Sequence, residues 1–146
     1  SYEISMSYNT TMPREQVQPL SRFVDNGDGT VTDNKTGLMW AGADNGRNIN
    51  WKDAKIYYGR YRGAGYVDWR MPTQDELASL HDRKEKNSHG YQINKLIDLT
   101  ACCPWASETR TIGGGAANFN FLHGYRFWYI QSFSLGGRAL PVRSGN

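Results

Sequence analysis

Short apolar runs separated by turn residues occupy both ends of this chain, and apolar positions at helical spacing occupy its middle. From Arg22 onward, Phe23-Val24, Val31 and Leu38-Met39-Trp40 are cut by Asn26-Gly27-Asp28-Gly29 and Asn34-Lys35-Thr36-Gly37. Asn-Gly and Asp-Gly pairs supply the positive φ angles that tight hairpins need, so this stretch predicts a meander of three short strands. Trp51, Ala54, Tyr58 and Tyr61 then recur every three or four residues behind Asn50, a good helix N-cap, and leave Lys52, Asp53 and Lys55 outward. That spacing predicts a helix ending at Gly63 or Gly65. Thr73 and Glu76 form a capping box after Pro72, ahead of Leu77 and Leu80, and predict a second helix. Ile93, Leu96 and Ile97 share one side of a further short helix over residues 91–99.

After Pro104 the pattern turns to sheet. Trp105–Thr109, Asn118–Phe121, Phe127–Ile130 and Arg138–Arg143 read as strands, parted by Gly113-Gly114-Gly115, His123-Gly124 and Gly136-Gly137. Strands first, helices next and strands last is an α+β order, with short antiparallel sheets, two or three short helices, and the first and last strands meeting. Residues 1–21 read as an arm ahead of one domain over 22–146. Tyr2, Ile4, Met6 and Tyr8 alternate onto one face of that arm. Two readings stay open for it: a strand that adds to a sheet edge, its own or a neighbour's, or a flexible leader.

Composition narrows the function classes. A length of 146 residues suits one domain, and a 13% aromatic content with five Trp and nine Tyr favours sheet and ordered loop over helix. The net charge of +3 comes from 17 basic and 14 acidic residues that are scattered rather than massed. With no zinc-finger, helix-turn-helix or RNA-recognition signature beside it, this balance points away from nucleic acid. No stretch approaches the roughly 18 consecutive apolar residues of a membrane span. The chain opens on Ser1 rather than Met, which is compatible with removal of an upstream segment.

The two cysteines are adjacent, Cys102-Cys103, so they cannot staple distant segments together. Buried thiols, a vicinal disulfide and a bond to another subunit remain alternatives. A structural zinc site would need about four ligands, and no second cysteine pair is present. The Asp-rich turn at 25–30 invites calcium, yet it lacks the EF-hand order of acidic positions, so neither a metal nor another cofactor is expected. His81, His89 and His123 stand outside any recognisable nucleophile motif. Arg70 and Glu76, on a strand end and a helix start, are better explained as an ion pair and a cap than as catalytic groups.

Several marks, in order, carry a family resemblance: Gly27-Asp28-Gly29-Thr30-Val31-Thr32-Asp33, Thr36-Gly37-Leu38-Met39-Trp40, Trp51 with Ala54, Asp68-Trp69-Arg70-Met71-Pro72-Thr73 with Glu76-Leu77, Trp105-Ala106-Ser107, and Pro141-Val142-Arg143. Over residues 22–144 the chain resembles the Lcl C-terminal-domain-like family of secreted bacterial proteins. The Trp-Arg-Met-Pro-Thr-x-x-Glu piece also resembles a segment of formylglycine-generating enzymes, and the resemblance implies their C-type-lectin-like architecture. It further implies export to the cell surface, the extracellular space or the periplasm, attachment to larger surface proteins and, in one subgroup, adhesion to sulfated glycans. The chain departs from the family in lacking collagen-like repeats and a cysteine between the first helix and Trp69. Adjacent thiols do not converge on one linear copper site as the enzymes' separated cysteines do, so a non-enzymatic module is expected.

A glycan site needs aromatic faces for sugar rings, amides for hydroxyls and basic groups for sulfates. The stretch from Asn118 to Tyr129 supplies these, with half of its aromatics turned inward by alternation. Asn118, Asn120, His123, Tyr125 and Arg126 are the expected exposed ligand-binding members. The expected function is thus a bacterial surface module for adhesion or ligand binding, with a glycan or surface protein as partner. The alternative is a structural subunit of a homo-oligomer or extracellular filament, assembled through the arm.

Overall fold

Gly29 and Gly37 adopt φ of 88° and 77°, a backbone that side chains with a Cβ resist, and each closes a turn of the first sheet. In the computed structural model, which describes residues 20–145, those turns join β1 (Phe23–Asp25), β2 (Thr30–Asp33) and β3 (Leu38–Ala41). The strands pair antiparallel, and the last strand of the chain, β8 (Val142–Ser144), adds beside β3. Val31, Trp40 and Val142 are aligned across this sheet and buried in the main core. The buried Asp33 holds the corner: Arg22 donates to both its oxygens at 2.8 Å, while the Lys35 N–H and the Thr36 hydroxyl donate to it as well.

Helix α1 (Trp51–Arg60) starts where expected, with Asn50 Oδ1 accepting from the Asp53 N–H at 2.8 Å. It stops at Arg60, earlier than the glycines suggest. Tyr61 leaves the helix with ψ of 132°, and its ring lies stacked on Tyr57 and edge-on to Trp69. A 3-10 turn, Gly63–Gly65, follows. Ala54 and Tyr58 face inward, and the Tyr58 hydroxyl donates to the Trp105 carbonyl at 3.0 Å and accepts from the Leu140 N–H at 2.9 Å.

Helix α2 (Gln74–Ser79) carries the expected capping box: Thr73 Oγ1 accepts from the Glu76 N–H and Glu76 Oε1 accepts from the Thr73 N–H. Arg70 adds a two-pronged ion pair to Glu76, at 2.8 and 2.7 Å. Residues 91–99 form irregular chain instead of the expected third helix, although Ile93, Ile97 and Leu99 are fully buried there. Asn87 Nδ2 donates to the Ile97 and Leu99 carbonyls and Asn94 Oδ1 accepts from the Leu96 N–H. Such side-chain bonds offer the backbone partners that a helix would otherwise supply.

The second sheet has the order β6-β5-β4-β7, formed by β4 (Cys103–Thr109), β5 (Gly115–Asn120), β6 (Tyr125–Ile130) and β7 (Gly137–Arg138). The α+β class with short antiparallel sheets holds, except that the two-residue β7 runs parallel to β4. Gly115 opens β5 rather than lying in a turn. The single strand expected over Arg138–Arg143 is two, β7 and β8, in different sheets. Between them the Ala139 N–H donates to Asn45 Oδ1 and the Leu140 N–H to Tyr58, and Pro141 has no N–H, so no ladder can continue.

One face of the second sheet, with Ala117 and Phe119, packs with Leu77 and Leu80 of the α2 segment in the main core. On the other face, α1 covers Trp105 and Ala116 through Ala54 and Tyr58. That cover stops short of β6. The arm positions Tyr2, Ile4, Met6 and Tyr8 lie outside the described residues.

Candidate functional site

Alternation along β6 puts Tyr125, Phe127 and Tyr129 on the face that α1 leaves bare. Their ring centroids follow one another at 5.7 and 6.3 Å. Phe133 continues the row, edge-on to Tyr129 at 4.2 Å, and His123 extends it the other way, stacked on Tyr125 at 6.4 Å. Tyr125 and Tyr129 are 49% and 42% exposed. Five rings therefore line the outer strand of the sheet, where an extended ligand can lie along them.

Beside the row is a cavity of about 150 Å³, lined among others by Cys102, Cys103, Asn118, Phe127, Phe133 and Leu135. Cys102 and Cys103 are joined as a vicinal disulfide and form part of its wall. Trp105, also in the lining, is fixed by its indole N–H, which donates to the Ile49 carbonyl at 2.8 Å. Gly137 is required here, since a Cβ would fall on the Ile49 carbonyl oxygen and 2.7 Å from Trp105 Nε1.

Asn118 is also among the lining residues. It pairs with Phe127 on β6 and with Trp105 on β4, in the middle of the sheet. Only 2% of it is exposed, and its Oδ1 has no hydrogen-bond partner among the described residues. Buried polar atoms are nearly always paired, and leaving one unpaired costs about 1–3 kcal/mol. The other such atom, Trp40 Nε1, belongs to a side chain packed in the main core.

The five residues expected to bind ligand thus separate. Tyr125 and His123 stand in the row. Asn118 is buried in the cavity wall, not exposed, because β4 and β6 flank it on both sides. Asn120 is half-buried and closes the β5–β6 turn, its Oδ1 accepting from the Leu122 and His123 N–H groups and its Nδ2 donating to the Tyr125 hydroxyl. Arg126 alternates onto the opposite face, where it pairs with Asp75, so it cannot reach the row. Phe127, Tyr129, Phe133 and Leu135 complete the site, and the alternation Tyr125-x-Phe127-x-Tyr129 was the visible signal for the two on β6.

A second, more open concavity is lined by Arg47, Asn48, Asn50, Tyr57, Arg60 and Ser134, among others. It adjoins the first, because Ser134 lies between Phe133 and Leu135. In the Asp-rich turn, the Asp25 carboxylate accepts from the Gly27 N–H and that of Asp28 from the Thr30 N–H and hydroxyl. Among the described residues, no group of three His, Cys, Asp or Glu is gathered for a metal. No helix among them is long and apolar enough to cross a membrane.

The model of the Lcl C-terminal domain family matches residues 29–143, which hold both sheets apart from β1 and the last residue of β8, both helices and the whole aromatic row. This chain belongs to the Lcl C-terminal domain family. No curated protein matches it. Within this Lcl C-terminal domain, the motif around Trp69-Arg70-Met71-Pro72-Thr73 is structural. Trp69 is held by Tyr61, Tyr66 and the Gly63 carbonyl, and Arg70 by Glu76. The bare aromatic face lies instead on a strand whose residues carry no such loud signature.

Proposed function

We propose that this Lcl C-terminal domain is a non-enzymatic binding module, exported to the bacterial surface, that takes glycan chains along the aromatic row of β6. The observation that carries the reading is the run of Tyr125, Phe127 and Tyr129 on one face of an edge strand, continued by Phe133 and left uncovered among the described residues. Sugar rings present apolar C–H faces that pack on such side chains, while Tyr hydroxyls stay wet and bond to sugar hydroxyls. Arg47 and Arg60 in the adjoining concavity support sulfated chains, because guanidinium groups make paired charge-assisted bonds to such anions. The vicinal disulfide supports an oxidising compartment. Two short sheets, the first of which joins the early strand β3 to the last strand β8, fit a C-type-lectin-like architecture.

Columns of immobilised heparin, chondroitin sulfate and a neutral polysaccharide test the reading. Retention of the full chain is expected on at least one, with loss in the double variant Tyr125→Ala, Tyr129→Ala. Wild-type elution in the void on every column at low salt would overturn it.

Assembly into a homo-oligomer or filament is the second reading, favoured by β1 and β6 standing at the edges of their sheets among the described residues. Deletion of residues 1–20 is expected to lower the number of subunits per particle, measured by light scattering. An unchanged subunit number would sink this reading.

A further inference from the structure

Of the strands that end a sheet among the described residues, β6 is the one left without protection. Edge strands are commonly kept short, bulged or charged, because their free N–H and C=O groups invite another chain. β1 and β8 have three residues each and β7 has two. β8 is further tied down by a bridge from Val142 to Arg70, and β1 ends on Asp25. β6 has six residues and pairs with β5 in unbroken register from Asn120↔Tyr125 to Gly115↔Ile130. No proline or lysine interrupts it, and the charge of Arg126 is met by Asp75. Its exposed apolar side chains lie on both faces, Tyr125 and Tyr129 on one and Ile130 on the other. A ligand on the row leaves Ile130 bare, whereas a strand added at the edge flanks both faces.

We infer that β6 accepts, as an added strand, the Tyr2–Tyr8 segment of a second copy of this chain. The inference rests on the assembly reading and names its joint. Tyr2, Ile4, Met6 and Tyr8 alternate with Glu3, Ser5 and Ser7, so the segment has the period and the length of a partner for six residues. Laid beside β6, its apolar side continues the face of Tyr125, Phe127 and Tyr129. Its polar side then shares the face of Arg126 and Trp128, so that Glu3 joins Arg126 and the Arg110 guanidinium, which lies 4.0 Å over the Trp128 ring. The reverse placement would set Glu3 among the aromatic rings. The added strand stands beside the row rather than over it, so sugar binding and assembly do not compete. Linker length favours a neighbour's arm over the chain's own. Arg22 donates to the Ser79 carbonyl at one end of α2 and Arg126 pairs with Asp75 at the other, so the base of the arm is separated from its own β6 by that helix, ~9 Å long, and the reach of two arginines. Residues 9–19 span roughly 36 Å when extended, a state that Pro13 and Pro19 favour. That exceeds what the chain's own strand requires and suffices to cross to another molecule.

Hydrogen exchange of the full chain, read on peptic fragments spanning Tyr125–Ile130, tests the joint, with subunit number followed by light scattering. The control is the double variant Ile4→Asp, Met6→Asp, which alters none of the described residues. Exchange over β6 in the wild-type particle is expected to be about tenfold slower than in the variant, the worth of one or two hydrogen bonds. The variant is also expected to have fewer subunits per particle, with exchange over Phe23–Asp25 the same in both. Fewer subunits with unchanged β6 exchange would put the joint elsewhere, so that the inference falls and the assembly reading stands. Protection of β6 in a monomeric wild type, lost in the variant, would put the arm on its own domain and overturn both. Size and protection that persist in the variant overturn the inference and leave assembly to be judged by deletion of residues 1–20. A monomeric wild type with freely exchanging β6 sinks the two together.

Discussion

Gln74 reaches from the first turn of α2 to the middle of the second sheet, its Nε2 donating to the Asn118 carbonyl at 2.9 Å. The same nitrogen donates to the Phe127 carbonyl at 3.2 Å. One buried side chain thus spans the two strands that carry the cavity and the row, from the face opposite to both. The capped helix and the candidate site are coupled through it.

Gln74→Leu should therefore leave two carbonyls short of a donor. The expected cost is about 1–3 kcal/mol, read as a lower urea midpoint with an unchanged m-value. Because the Gln74 side chain bonds to backbone carbonyls of β5 and β6, glycan retention should weaken with stability rather than vanish. Full stability in Gln74→Leu would show that these bonds contribute nothing net.

Acid should loosen the same region. Burial alone would raise the Glu76 carboxyl, but the Arg70 ion pair and the Thr73 bonds outweigh it and hold the group below its ordinary range. Asp33 behaves alike, with burial opposed by Arg22, Thr36 and Lys35. A folded value below the unfolded one means stability fully present above the unfolded carboxyl range of about 4 and lost as pH falls through the lower folded value. Thermal midpoints should be flat from pH 7 to about 5 and fall below that. Glu76→Gln should blunt the fall; an identical pH profile in that variant would remove Glu76 from the acid response.

Local chemistry made α1, α2 and the first meander legible. Asn50, Thr73 and Glu76 act on N–H groups three residues away, and the hairpin glycines act on their own φ, so a linear reading finds them. What it could not find was decided from afar. The break between β7 and β8 is enforced by Asn45 and Tyr58, which lie 94 and 82 positions away from the N–H groups they bind. The third helix failed for a different reason, because Asn87 folds back on the carbonyls of Ile97 and Leu99. In the site, alternation marked half of the Asn118–Tyr129 aromatics as inward but not which half. The register Asn118↔Phe127 and the position of α2 made that choice, sending Arg126 to the far face and Asn118 into the cavity.

Opposite faces of one strand give a sharp comparison. Arg126→Ala removes an exposed ion pair with Asp75, worth at most about 1 kcal/mol, and should leave polysaccharide retention unchanged. Tyr129→Ala, three residues on, should shorten retention clearly, since the residue is 42% exposed on the row's face. Equal losses in both variants would place the ligand elsewhere.

The vicinal disulfide separates stability from recognition. A cross-link stabilises by constraining the unfolded chain, and the effect grows with the loop closed. Cys102 and Cys103 close the smallest loop a chain allows, so Cys102→Ser with Cys103→Ser should cost about 1 kcal/mol or less in a urea titration. The cavity, by contrast, loses an apolar wall and gains two hydroxyls. Retention along the aromatic row should persist. Intact mass before and after reduction and alkylation first checks that the bond is present, with label entering only after reductant. A double variant that loses most of its stability would instead make the disulfide a structural staple, and one that keeps its stability but loses retention would show that the cavity wall takes part in recognition.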